Sequence, residues 1–290
     1  MEVTMNPILK LAIQRKGRLS EGSLGLLRDC GITFSRSNGK LKVSCDNFPL
    51  QLMFLRDDDI PAIVADAVAD LGIVGRNLLA ETRDDVQSVR DLGFARCRLA
   101  LAVEKTRPWT GLKDLEGKCI ATSHPRILTD FFERRGISAR IRRIAGSVEI
   151  APAIGVADAV CDLVSSGSTL LSNGLREVET VFESTAQLVA TPHLPDDKAV
   201  LLKRLLLRIQ AVLRARTHKY ILLNAPEKSL SSICRLLPGM KSPTVSRLNQ
   251  PGWVSVQSVV AEEEFWEMVD RLHELGAEGI LVLGLEKMVF

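Results

Sequence analysis

Short apolar runs alternate with amphipathic stretches of helical period from Leu9 onward, and this rhythm confines the chain to an α/β architecture. Leu9–Gln14 (LKLAIQ) reads as a strand. Arg15-Lys16-Gly17-Arg18 turns the chain, and Ser20 stands where an N-cap belongs, before a helix over EGSLGLLRDC that stops at Gly31. Strands follow at Leu41–Cys45 and Gln51–Arg56. Asp58 and Asp59 suit the positive end of a helix dipole, and Pro61 loses no hydrogen bond in a first turn. The next helix therefore starts there and runs through Ile63, Val64, Ala67 and Val68. Leu71–Gly75 is a short buried strand. The order predicts a mostly parallel sheet with helices on its faces.

From about Glu104 the chain turns polar, then repeats the pattern. Lys118–Thr122, a helix over His124–Arg135, Ile141–Ala145, a helix from Ser147, and Ala159–Val164 form a second β-α-β set. LREVETVFE and TAQLVA bring the chain back, and a long helix runs from about Pro195 to His218. Two lobes joined by more than one crossing describe a cleft protein with its ligand between them. Their expected bounds are 1–103 with about 181–217 for one, and 104–180 for the other. The remainder, 218–290, reads strand, helix, two strands, helix, strand. That βαββαβ order is a ferredoxin-like domain. Its core would be Ile221, Leu222, Ile233, Leu236, Phe265, Val269, Leu272, Ile280 and Val282.

Composition narrows the function. The 290 residues carry 38 basic and 35 acidic side chains, a net charge of +3, which argues for neither a nucleic acid nor a membrane-surface partner. No apolar run reaches membrane-helix length, and MEVTMNPILK lacks the pattern of a secretory leader, so a cytoplasmic location is expected. The six cysteines form no CxxC and read as idle thiols of a reducing compartment. His124, His193, His218 and His273 show neither metal spacing nor a nucleophile motif, so none is assigned catalysis.

Ala157–Leu175 is the most informative stretch. A strand ends at Val164, a loop of small residues follows (Ser165, Ser166, Gly167, Ser168, Thr169), and a short helix begins near Leu170. Hydroxyls, free amides at a helix start and a glycine that admits close approach form a receptor for a phosphate dianion. Asp162, on the strand, suits ribose hydroxyls; Asp158 lies one repeat earlier. A plain Ser/Gly turn with Thr169 as cap accounts for the same residues, and the acidic strand end favours the phosphate reading. A second constellation joins Arg56-Asp57-Asp58-Asp59 to Asp70–Gly75, at strand edges where open sheets bind ligands. Asp59 as a helix cap and Arg56 in a solvated charge cluster are the plainer alternatives. The basic turn Arg15–Arg18 suits polyphosphate, or solvent.

Taken in order, QRKGRLSEGS, RDDDIP with DLGIVG, GFARCRLALA, GKCIATSHP, GSVEIAP, DAVCDLVSSGSTLLSNGLREVE, KYILLNAP and LGAEGILVLGLEKM make the chain resemble the long-form ATP phosphoribosyltransferases of histidine biosynthesis over essentially its whole length. In that family glycine is frequent where Ala67 stands, threonine and alanine where Ser166 and Ser168 stand, and the residue at Asn224 varies. The resemblance implies a two-lobed, periplasmic-binding-protein-like catalytic half and an ACT-like regulatory domain. It implies ATP and phosphoribosyl pyrophosphate as substrates, Mg²⁺ held mainly through the substrate's pyrophosphate, histidine as feedback inhibitor, and a homo-oligomer (dimer or hexamer). Carried over by position, Asp162 and Glu149 are catalytic. Asp158, Asp162, Ser165, Ser166, Gly167, Ser168 and Thr169 hold phosphoribosyl pyrophosphate, in the lobe over 104–180. Arg18, Arg56, Asp70, Asn77 and Arg98 line the ATP side, and Asn224, Thr244 and Gly279 contact histidine. A two-lobed binding protein or an amino-acid sensor without catalysis is the alternative reading.

Overall fold

A computed structural model describes residues 6–35, 39–237 and 239–289. Residues 1–5, half of the segment judged for a leader, lie outside them. The chain divides into two compact units, one of residues 1–25 with 32–201 and the other of residues 26–31 with 202–290. That boundary falls before the expected one at His218.

In the first unit, β1 (Leu9–Gln14) leads to α1 (Arg18–Asp29), β2 (Lys42–Ser44), β3 (Leu50–Leu55), α2 (Ile60–Ala65), β4 (Leu71–Gly75), α3 (Arg76–Thr82) and β5 (Gln87–Asp91). There follow β6 (Cys97–Glu104), β7 (Cys119–Thr122), α4 (Pro125–Arg135), β8 (Arg140–Arg143), β9 (Ala159–Val164), α5 (Ser168–Ser172) and β10 (Leu175–Ser184). Then β11 (Ala186–Ala190) returns, and α6 (Asp196–Arg216) follows, its residues from Leu202 onward belonging to the second unit, as do those of α1 from Leu26. Two sheets result, ordered β2-β3-β1-β4-β11-β5 and β10-β6-β9-β7-β8.

Both sheets are mixed rather than mostly parallel. β1 pairs in parallel with β3 and β4, and β7 with β8 and β9, whereas β2, β5, β6, β10 and β11 pair antiparallel. The chain leaves and re-enters the first sheet through strands that must run back, and those supply the antiparallel pairings. The crossings also lie outside the expected positions. All of Cys97–Glu104 and Leu175–Ser184 belong to the second sheet.

Burial explains why β6 is an inner strand there. Leu99, Leu101 and Val103 pack on one face with Phe131 and Phe132 of α4; Ala100 and Ala102 pack on the other with Val148, Val164 and Leu170. A strand apolar on both sides can only be sandwiched. Helices α1 and α2 differ from expectation. α1 begins at Arg18 behind Gly17 (φ +93°), so Ser20 lies in its first turn, buried and with no partner for its Oγ. α2 stops at Ala65 because Ala67 (φ +55°) reverses the chain into β4, a conformation that glycine adopts without cost. The helix expected from Ser147 is a single 3-10 turn, Val148–Ile150. Pro152 and Gly155 (φ +70°) prevent its extension.

In the second unit, β12 (His218–Pro226), α7 (Leu230–Leu236), β13 (Thr244–Arg247), β14 (Trp253–Ala261), α8 (Phe265–Glu274) and β15 (Glu278–Gly284) form an antiparallel sheet ordered β13-β14-β12-β15. This is the βαββαβ layout. Ile221, Leu223, Ile233, Val256 and Leu272 build its core. Leu222 and Val282 are not in that core: Leu222 alternates onto the opposite face, and Val282 is 41% exposed.

Candidate functional site

The loop Ser165–Gly167 joins β9 to α5. Gly167 is the N-cap of α5 in a left-handed conformation (φ +81°), so no side chain caps the helix and Thr169 lies inside its first turn. Ser166 Oγ and Ser168 Oγ are 3.0 Å apart. The loop lines a cavity of about 210 Å³ together with Glu149, Asp162 and Arg18. Loop hydroxyls and the Arg18 guanidinium line it together, a combination that suits a dianion.

Two carboxylates stand beside it. Burial pushes the Asp162 carboxyl above its ordinary range; the Leu163 amide, 2.8 Å from Oδ1, opposes this, and the charge of Glu149 adds to it. The site thus places two acidic side chains on the cavity that the Ser165–Thr169 loop lines.

A larger cavity of about 830 Å³ shares Arg18, Leu163 and Ser165 with the smaller one. Arg18 Nη1 donates to Ser165 Oγ. Asn77, opening α3, lines this cavity, and its amide donates to Ser184 Oγ at 3.0 Å. Arg96, Cys97, Ser123, His124 and Arg143 line it as well. The sequence reading assigned none of these to the site. A signal existed: Ser123 and His124 follow the C-terminal end of β7, the edge where open sheets bind ligands.

Several expected contacts lie elsewhere. Asp70 precedes β4, at the end away from Asn77. It is 4% exposed, paired with Lys198 Nζ at 2.8 Å, and it accepts the Lys10 amide at 2.8 Å. Asp158 precedes β9, roughly 20 Å of extended chain from the loop. Its Oδ2 accepts the Cys119 amide at 2.8 Å, tying β7 to β9. Arg98 pairs with Glu177 at 2.5 Å because alternation along β6 turns Cys97 to the cavity and Arg98 away. Arg56 is exposed and lines a neighbouring cleft with Arg15, Lys16 and Asp57. Only Gly17 and Arg18 of the basic turn reach the large cavity.

In the second unit, Asn224 and Gly279 (φ +58°) are close; a Cβ on Gly279 would lie 3.4 Å from Asn224 Nδ2. Thr244 is exposed on β13, with β14 between it and Asn224. Among the described residues, no group of three or more His, Cys, Asp or Glu side chains has metal-holding geometry, and no helix is long and apolar enough to cross a membrane. All six cysteines are free thiols; burial pushes Cys30 and Cys45 up to about 11.

Two family models match: the one described as ATP phosphoribosyltransferase over residues 56–211, and the one described as the HisG C-terminal domain over residues 215–287. The chain is 54% identical over 285 residues to an ATP phosphoribosyltransferase of Cytophaga hutchinsonii, covering 98% of this chain and all of the relative. It is 51% identical over 282 residues to one of Phocaeicola vulgatus, covering 97% and 100%. Among solved structures, a chain of the ATP phosphoribosyl transferase (HisG:HisZ) complex from Thermotoga maritima aligns with TM-score 0.60 and 28% identity, over 71% of this chain and 99% of that one.

Proposed function

The chain belongs to the ATP phosphoribosyltransferase family, and from that premise we propose how its residues divide the reaction. The enzyme joins adenine N1 of ATP to C1 of phosphoribosyl pyrophosphate and releases pyrophosphate. The observation that carries the assignment is the pair of adjoining cavities that share Arg18 and Ser165. Two anionic substrates must meet, and Arg18 stands where both would reach it.

In this reading Ser165–Thr169 hold the 5′-phosphate in the smaller cavity, and Asp162 and Glu149 accept hydrogen bonds from the ribose hydroxyls. ATP occupies the larger cavity, against Arg18 and Asn77, with Arg56 at its margin. No protein nucleophile is needed. Positive charge builds on the ribose as pyrophosphate leaves, and Asp162 and Glu149 are the negative groups beside it. The enzyme's contribution is to orient two bound substrates in line and to stabilise that charge.

Mg²⁺ fits the donor set, since Asp162 and Glu149 are hard oxygen donors on the same cavity as the phosphate loop. The ion would be held mainly by substrate oxygens, and when bound it neutralises the leaving pyrophosphate. The domain over 218–290 is assigned to feedback control by histidine, with Asn224 and Gly279 as its contacts. Work in the cytoplasm as a homo-oligomer, dimer or hexamer, belongs to the same proposal.

The experiment is ATP-dependent pyrophosphate release from phosphoribosyl pyrophosphate, with and without Mg²⁺ and histidine. Release that needs both substrates and Mg²⁺ and falls with histidine is the expected result. Binding of either substrate without release would favour the non-catalytic binding protein.

A further inference from the structure

The larger cavity holds a polar chain that the chemistry above leaves unused. Ser184, closing β10, donates from Oγ to Asn77 Oδ1 at 2.8 Å. This orients the carboxamide so that Asn77 Nδ2 faces His124 Nε2 at 2.8 Å. An amide nitrogen only donates, so Nε2 accepts; the ring proton is then on Nδ1, 2.9 Å from Ser123 Oγ. His124, Asn77 and Ser184 are 7%, 8% and 3% exposed. Gly75 leaves the carboxamide its space, since a Cβ there would collide with Asn77 Oδ1. Asn77 follows a strand of the first sheet, whereas His124 and Ser184 come from the second.

We propose that His124 is a positioning residue for the nucleotide: in its neutral form it holds the Asn77 carboxamide on the cavity wall, and protonation of Nε2 breaks that hold. The inference rests on the larger cavity being the ATP site. Asn77 keeps its second amide hydrogen and further lone-pair capacity for a ligand. A protonated ring would set two donors against each other at Asn77 and cost the buried hydrogen bond.

The charges around the ring are named by the same geometry. Glu81 of α3 and Asp57 and Asp58 before α2 act on it, while Arg18, Arg96, Arg143 and the Cys97 thiol line the same cavity. Burial pulls the imidazole below its ordinary range, and Glu81, Asp58 and Asp57 pull back. The ring is therefore neutral at pH 7 and takes up its proton only in acid.

The test uses nitrogen-15 NMR of the imidazoles in the intact protein, which has four histidines, with His124→Gln to identify the signal. The Nδ1–H tautomer is expected. In parallel, KM for ATP is followed against pH. Gln supplies an acceptor oxygen near the place of Nε2 and does not titrate. The wild-type KM for ATP, divided by that of His124→Gln, should rise about tenfold through the acid limb, the loss of one buried hydrogen bond. KM for phosphoribosyl pyrophosphate should keep a constant ratio, and His124→Leu should show the raised KM for ATP at every pH. Thermal unfolding checks each variant; if the Leu variant does not fold, the tautomer and the Gln profile decide. An Nε2–H tautomer, or an acid profile shared by wild type and Gln, overturns the inference. The Nδ1–H tautomer with a KM for ATP that none of the variants moves would instead remove ATP from this cavity, and the inference would fall with that reading.

Discussion

Arg18, in the first turn of α1, donates to Ser165 Oγ and so joins the turn behind β1 to the Ser165–Gly167 loop behind β9. It lines both cavities. Arg18→Ala should lower kcat/KM for both substrates by about 10- to 100-fold, since a hydrogen bond to a charged group contributes about 1.5–3 kcal/mol. Steady-state kinetics with each substrate varied in turn measures it. A loss confined to one substrate would place Arg18 in one site only.

Asp162 carries its charge at a cost, because burial and Glu149 both raise its carboxyl. A raised folded pKa gives stability below the unfolded value and loses it as pH rises through the folded value. Asp162→Asn should therefore unfold at a higher temperature than wild type at neutral pH, with the gap closing on acidification. Turnover should fall more than substrate affinity, because the charge matters most as the ribose becomes electron-poor. Thermal unfolding against pH and kcat at saturation check the two halves. A variant that changes only KM would leave Asp162 as a hydroxyl acceptor.

Asp70 separates structure from chemistry. Buried and paired with Lys198, it should matter for folding and not for ATP. Asp70→Asn keeps an acceptor for the Lys10 amide but leaves Lys198 without its charge partner. It should destabilise the fold by about 1–3 kcal/mol, below the range for a fully buried pair because Lys198 is partly exposed. KM for ATP should stay within about twofold, a difference below 0.5 kcal/mol. Denaturant unfolding and KM for ATP are the readouts; a stable variant with a raised KM would return Asp70 to the site.

The elements were legible where periodicity and punctuation agree. Leu9–Gln14, Leu71–Gly75 and Ala159–Val164 are strands at the bounds read from the sequence. The turn over Ser165–Gly167 between strand and short helix was legible too, because small residues and glycine punctuate the chain there. The departures share physical causes. Asp70 was read at a strand edge and Asp158 was carried over by resemblance, but a strand has two ends, and both acids precede theirs. Asn77 follows β4, and Asp162 lies toward the loop end of β9. Arg98 was one residue off in parity, since Cys97 takes the inward position. The chain carries no local mark of the left-handed turn at Ala67, which ends a helix that composition alone would extend.

In the second unit, Asn224 and Gly279 adjoin on β12 and β15. Asn224→Leu should raise the histidine concentration for half-inhibition by about fivefold, the loss of one hydrogen bond of about 1 kcal/mol. A histidine titration of product formation measures the shift. Inhibition at an unchanged concentration would move the effector site away from this pair.

The Ser165–Thr169 loop carries the proposed function most directly. Gly167 holds φ at +81°, and a Cβ there would meet only Val164 Cγ1 at 3.8 Å, so conformation rather than crowding demands glycine. Gly167→Val puts a β-branched residue where the left-handed form costs about 1–3 kcal/mol, and the loop should leave its receptor shape. The deciding measurement is equilibrium binding of phosphoribosyl pyrophosphate and of ATP to this variant, with folding checked by thermal unfolding. A folded variant should bind phosphoribosyl pyrophosphate at least about tenfold more weakly, or 1.4 kcal/mol, and ATP as wild type does. Unchanged affinity for phosphoribosyl pyrophosphate in a folded variant would contradict the account.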